Sequence, residues 1–215
     1  MMKNVFLKLF WLDAVVELMS PLLLASHPEV RLVTKPLLMI LLMGHIAQVN
    51  PKPALFFTAI FALLGDVFLM LPGDSPLYFQ LGLGFFLVMQ LSYIRLFAKH
   101  ASEETWVPAF ARKRLAGILI YVFSFLAFLN PHLAGGMKIP VTLYAFALGS
   151  MLYFAIRLRN QTIVWGAFFF VVSDSVLAFG KFYYSFPGIS TVVMSTYIVA
   201  QLLLISALCK LQLKK

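Results

Sequence analysis

Two aspartates stand where aspartate is costly. Asp66 lies in the run FALLGDVFLML, Phe61 to Leu71, and Asp174 lies in FFFVVSDSVLAF, Phe168 to Phe179. A charged residue at the centre of a membrane helix costs about 2.5–3.5 kcal/mol on insertion scales, so it faces a protein interior or a wet cavity and marks a functional site by default. Two carboxyl groups in a partly dry, lipid-accessible pocket suit acid–base work. Low dielectric favours a neutral acid, while a nearby cation or hydrogen-bond donor favours a carboxylate, so a pair can hold one proton donor and one anion. Such a pair protonates a substrate and activates water without a metal. The structural alternative is that both aspartates only hydrogen-bond to serines or cap a broken helix.

The elements that position these groups follow from composition. The chain has 215 residues, of which 62% are hydrophobic and only 12% charged, with a mean hydropathy of +0.93. Ordinary soluble domains are about 25% charged, so this is a polytopic membrane protein. Apolar runs long enough to span predict eight helices, at 5–25, 31–48, 53–71, 76–97, 112–130, 139–156, 161–180 and 188–209. Pro, Gly or Asn punctuate most junctions: Pro28, Asn50–Pro53, Pro72–Gly73, Asn130–Pro131, Gly135–Gly136 and Pro187–Gly188. The 98–111 connection is the longest. The expected architecture is an all-α bundle of about eight transmembrane helices forming a single membrane domain over 1–215, with no internal repeat. Lys3 and Lys8 precede an apolar run without a small-residue cleavage pattern, so the first helix is expected to stay.

Of the 17 Lys and Arg residues, four (Arg31, Lys35, Lys138 and Lys181) fall on one side of these helices and the remaining 13 on the other. By the positive-inside rule both termini are expected to be cytoplasmic. The net charge of +9 is then a topology signal toward anionic lipid, not a nucleic-acid footprint. Depths follow at 1.5 Å per residue: Asp66 lies about 7.5 Å and Asp174 about 9 Å below the outer boundary, and Lys35 and Tyr144 roughly 6 Å below it. Glu17 is about 13 Å down on helix 1, with Asp13 one turn deeper on the same face. Five helices thus place polar groups in the outer half of the membrane. Lys35 could instead snorkel, Tyr144 could belong to an aromatic belt, and Asp13 and Glu17 could pair with a basic residue of the bundle. Gly82 and Gly84 are read as close-packing positions.

Absences narrow the chemistry. Cys209 is the one cysteine, so neither a disulfide framework nor a cysteine metal cluster is available. His27 and His132 are expected outside, His100 inside, and His45 near the inner end of helix 2, which disfavours a zinc site. No G-x-S-x-G is present, so a serine hydrolase has no support.

The motifs in order are Thr34-Lys35-Pro36-Leu37, Gly65-Asp66, Gly82-Leu83 then Tyr93, Pro140 then Tyr144, Ser173-Asp174-Ser175, and Tyr197 then Ala200-Gln201. Together, over nearly the whole chain, they resemble the lysoplasmalogenase family, the YhhN-like membrane proteins. Gln90 departs from the pattern, which has a histidine there. The resemblance implies hydrolysis of the vinyl ether bond of lysoplasmalogens to a fatty aldehyde and glycerophosphoethanolamine or glycerophosphocholine. Asp66 and Asp174 would be catalytic. Lys35 and Arg31 would meet the phosphate, with Glu17, Tyr144, Ser173, Ser175, Tyr197 and Gln201 completing the substrate site. It implies no cofactor and no metal, a lysophospholipid substrate in a lipid bilayer, and a place in a bacterial inner (plasma) membrane with the site toward the outer half. The rival reading is a proton-coupled transporter of a small or lipid-like solute, with the two aspartates as proton relay. A non-catalytic lipid-binding protein is the third.

Overall fold

The apolar runs become helices, and the breakers between them become helix ends. A computed structural model describes residues 5–23, 29–49, 52–71, 76–101 and 108–213. Among these are eight α-helices: α1 (Val5–Leu23), α2 (Val30–Val49), α3 (Pro53–Met70), α4 (Pro76–His100), α5 (Pro108–Leu129), α6 (Gly135–Arg157), α7 (Gln161–Phe182) and α8 (Ile189–Leu213). A 3₁₀ turn at Asn130–His132 links α5 to α6. The junction residues Pro28, Asn50-Pro51 and Pro72-Gly73, the middle of the 98–111 connection, and His27 lie outside the described residues.

The helices run from 18 to 25 residues, which at 1.5 Å per residue suits a hydrocarbon core of about 30 Å. Seven are long and apolar enough to cross a membrane. The eighth, α1, has 19 residues but carries Lys8, Asp13 and Glu17. The chain is therefore an all-helical, multi-pass membrane protein.

Local chemistry explains the boundaries. Pro53, Pro76 and Pro108 each open a helix, where the missing N–H would have had no intrahelical partner. Asn160 caps α7 by accepting from the Thr162 and Ile163 amides at 3.0 and 3.2 Å, after Arg159 turns the chain at φ 54°. Two starts differ from expectation. α5 begins at Pro108 and not at 112, and α6 begins at Gly135 and not at 139. Gly135-Gly136 reads as a break but forms the first turn of α6. Pro140 is tolerated there because the Gly136 carbonyl, which it leaves without a helical donor, accepts from Gln80 Nε2 at 3.3 Å.

Helix order in space matters more for the site than boundaries do. α1 packs on α2, α2 on α3, α3 on α4, α4 on α6, α6 on α7, α7 on α8, and α8 back on α1. Seven helices thus close a ring, with α2 also touching α8 across it. α5 stands outside, packed chiefly on α6. The core fills the ring with side chains such as Leu38, Met89, Phe170 and Leu204, all at 1% exposure or less. In lipid such helices associate through close packing and interhelical hydrogen bonds rather than hydrophobic burial. Gly82 supplies one close approach: a Cβ there would lie 2.8 Å from Leu69 and 3.3 Å from the Gly65 carbonyl oxygen. Gly84 does not share that role, since a Cβ there would meet open space. Trp165 near one end of the bundle and Tyr183 and Tyr184 near the other are exposed, as expected of aromatic belts at membrane interfaces.

Candidate active site

The polar side chains gather at one end of the bundle, here termed the site end, where α1, α3, α5 and α7 finish and α2, α4, α6 and α8 begin. Asp66 is four residues from the end of α3 and 1% exposed. Tyr197 of α8 donates to its Oδ2 at 2.6 Å, and Lys35 of α2 places Nζ 3.4 Å from its Oδ1. Behind Tyr197, Gln201 donates to the Tyr197 hydroxyl at 3.4 Å and accepts from Tyr93 of α4 at 2.8 Å. One hydrogen-bonded chain therefore joins α4, α8 and α3, with the Lys35 ammonium at its end.

A second group lies on α1 and α2. Arg31 donates to Glu17 Oε1 through Nε and Nη2 at 3.1 and 3.0 Å, and to Ser190 through Nη1 at 3.2 Å. Thr34 donates to Glu17 Oε2 at 2.5 Å. Glu17 thus has both oxygens engaged by its own chain. Lys35 and Arg31, expected to meet phosphate, are each committed to a carboxylate. Asp13 is 7% exposed, and its Oδ2 has no partner among the described residues.

The triplet Ser173-Asp174-Ser175 points three ways, as a 100° helical step requires. Ser173 donates to the Val193 carbonyl at 3.0 Å and ties α7 to α8. Asp174 accepts a short hydrogen bond from Tyr144 of α6. Ser175 is hydrogen-bonded to Tyr121 of α5 and donates to the Val171 carbonyl at 2.5 Å. Ser173 and Gln201 are accordingly buried behind the site, while Ser175 and Tyr144 border it.

Asp174 and Asp66 differ in access. A narrow cleft with about 50 Å³ of free space runs between α3, α4, α5, α6 and α7, and Asp174, Tyr144, Tyr121, Ser175 and Phe86 line it. Asp66 does not line it. Phe86 of the cleft lining packs against Tyr197, the hydrogen-bond donor to Asp66, with ring centroids 6.0 Å apart, and against Phe170 at 6.3 Å. Asp66 still lies within electrostatic range of Asp174. A second groove of about 460 Å³ continues toward the opposite end between α5, α6 and α7, and the two spaces share Tyr121 and Ser175.

Gly65 leaves room for this ring, because a Cβ there would lie 2.7 Å from Phe86. Gly65→Ala must displace a ring already wedged between Phe170 and Tyr197. Overpacking of this kind costs about 1–3 kcal/mol, so a lower thermal midpoint in detergent and reduced activity are expected. An unchanged midpoint would show that the ring has room to move.

One site residue escapes sequence reading. Tyr121 sits in the apolar run GILIYVFSF, where a lone phenol is the only signal. Gln90, the departure from the motif pattern, lies one turn beyond Phe86 on α4 and is fully buried. His45 is buried far from the site end, with Nδ1 unpaired among the described residues. No group of three or more His, Cys, Asp or Glu side chains among the described residues could hold a metal ion.

Fold and site together define a class: multi-pass helical membrane proteins with carboxylates buried at one end of the bundle and an apolar cleft beside them. Within that class the chain belongs to the YhhN family, whose model matches residues 30–208. Among its relatives, lysoplasmalogenase TMEM86B of Mus musculus is 46% identical over 82 residues, covering 38% of this chain and 36% of that protein. Lysoplasmalogenase TMEM86A of Homo sapiens is 31% identical over 164 residues, covering 69% and 62%. The lysoplasmalogenase of Mycobacterium bovis is 31% identical over 159 residues, covering 71% and 57%. The matched part of the chain thus spans between about a third and three fifths of the length of these relatives. No solved structure matches.

Proposed function

We propose that this protein hydrolyses the vinyl ether bond of a lysoplasmalogen, releasing a fatty aldehyde and a glycerophospho-alcohol. The observation that carries the reading is a carboxyl group, Asp174, opening onto an apolar cleft within electrostatic range of a second carboxyl, Asp66. The names of the relatives agree with it.

The roles divide by surroundings. Asp66, beside the Lys35 ammonium and hydrogen-bonded by Tyr197, is held as an anion. Asp174, oriented by Tyr144 and facing the cleft, carries the reacting proton. Asp174 delivers that proton to the β-carbon of the vinyl ether, and the ether oxygen shares the resulting oxocarbenium charge. The Asp66 carboxylate stabilises this cation through the low-dielectric interior, and the Phe86 face adds a cation–π contribution. Water then adds to the α-carbon while Asp174 takes its proton and is restored. The hemiacetal hydroxyl proton passes to the departing glycerol oxygen as the C–O bond breaks. The alkenyl chain lies along α6, between α5 and α7.

Purified protein in nanodiscs, mixed with lysoplasmalogen, is expected to release free aldehyde. A folded protein that releases none overturns the reading and leaves transport or lipid binding in its place.

Both termini are proposed to be cytoplasmic, on the basic asymmetry. Reporter fusions after residue 215 and within Asn130–Lys138 should then report opposite sides of the membrane. A shared side would sink the depth argument, and opposite sides with residue 215 outside would put the site end on the cytoplasmic face.

A further inference from the structure

We infer that Lys181 binds the phosphate of the lipid headgroup at the mouth of the cleft; this role rests on the hydrolase reading above. Four cations lie toward the site end: Arg31, Lys35, Lys138 and Lys181. The first two are committed to Glu17 and Asp66, and neither lines the cleft. Lys138 and Lys181 form no ion pair with a described residue. Lys181 is the better placed of these two.

It lies seven residues after Asp174 on α7, two turns along the same face, so the two side chains leave the helix about 10.5 Å apart along its axis. Its ammonium bends over the mouth to α4, where Nζ lies 5.4 Å from the centroid of the Phe79 ring. Phe79 and its T-shaped partner Phe182, centroids 5.5 Å apart, both line the cleft. The cation is therefore suspended over the entrance on a flexible stem, while the Asp174 carboxyl leaves the same helix two turns below it.

That spacing fits a substrate with phosphate at the membrane surface and the vinyl ether at Asp174. The remaining chain then continues past Tyr121 and Ser175 into the second groove. The cleft walls between Lys181 and Asp174 are nearly all apolar, so the headgroup has no other cation to meet on the way down. A lysine is the appropriate group, because its ammonium acts as a mobile point charge at an exposed mouth where a rigid fork would gain less.

The test compares two substrates with the same alkenyl chain, a 1-alkenyl lysophospholipid and the phosphate-free 1-alkenylglycerol. In wild-type protein kcat/KM should favour the phospholipid. Lys181→Gln should reduce that preference about tenfold, chiefly through KM for the phospholipid, as expected for the loss of one hydrogen bond to a charged group. Lys181→Arg should keep most of the preference. Equal changes for both substrates, or none for either, would overturn the assignment. Binding of the non-hydrolysable 1-alkyl lysophospholipid gives an independent readout, with about tenfold weaker affinity expected for Lys181→Gln. If wild-type protein binds this analogue through Lys181 yet releases no aldehyde from either substrate, the hydrolase reading fails and the phosphate site stands. Binding insensitive to Lys181 removes the site whatever the chemistry.

Discussion

Asp174→Asn is expected to lower aldehyde release by about 10²–10⁴-fold, the usual contribution of a positioned general acid–base group. The amide keeps the size of the carboxyl, and its carbonyl can still accept from Tyr144, so the protein should remain folded and lipid-bound. It can neither release a proton nor take one from water. Asp66→Asn should also reduce turnover, because the carboxylate that balances the developing cation is gone. The double variant should lose much less than the product of the two single losses, since groups acting as one unit are not additive. Tyr144→Phe should fall between wild type and Asp174→Asn, as it frees the carboxyl from its orienting hydrogen bond without removing it. Near-normal turnover from a well-folded Asp174→Asn protein would end the two-carboxylate reading.

Lys35→Met is expected to be the most destabilising single change at the site. Lys35 and Asp66 are 14% and 2% exposed at the side chain and 3.4 Å apart. Removing one partner of such a buried pair leaves an uncompensated charge and costs on the order of 3–5 kcal/mol. The thermal midpoint in detergent should drop accordingly, and turnover should fall with it. Adding Asp66→Asn should recover much of the lost stability, because the stranded charge disappears, but none of the lost turnover. That separation distinguishes this pair from a lysine that only meets substrate phosphate, which would change KM and leave the midpoint alone. A Lys35→Met protein as stable as wild type would show that Asp66 does not depend on this cation.

Asp66 and Asp174 were legible because each interrupts an apolar run, and depth arithmetic brought them to one end of the bundle. Their partners were not legible. Tyr144 and Tyr197 are both present in the motifs, but which tyrosine meets which aspartate depends on the order of helices around the ring. Alternation of membrane helices fixes direction only, not neighbours. Glu17 and Arg31 show the same limit: each was visible alone, but their pairing, which withdraws Arg31 from the substrate, follows from α1 lying against α2. Beyond Arg114, α5 is apolar except for Tyr121 and Ser124, so nothing in its composition placed it outside the ring, and Tyr121 went unnoticed with it. Gly135-Gly136 misled because glycines punctuate soluble helices more reliably than membrane ones, where they are tolerated inside a span.

Closure of the ring between α1 and α8 also bears on how the protein is made. α1 leaves the ribosome well before its neighbour α8, and some 165 residues separate them. At about 5–20 residues per second α1 waits on the order of ten seconds or more for that neighbour. It enters the bilayer carrying Glu17, which alone would resist insertion. Arg31 and Thr34 follow within the first turns of the next helix, so α1 and α2 can enter together as a hairpin that carries its own counterion. The Glu17–Arg31 pair thus serves biogenesis before any site exists, holding α1 in the membrane until α8 arrives to close the ring.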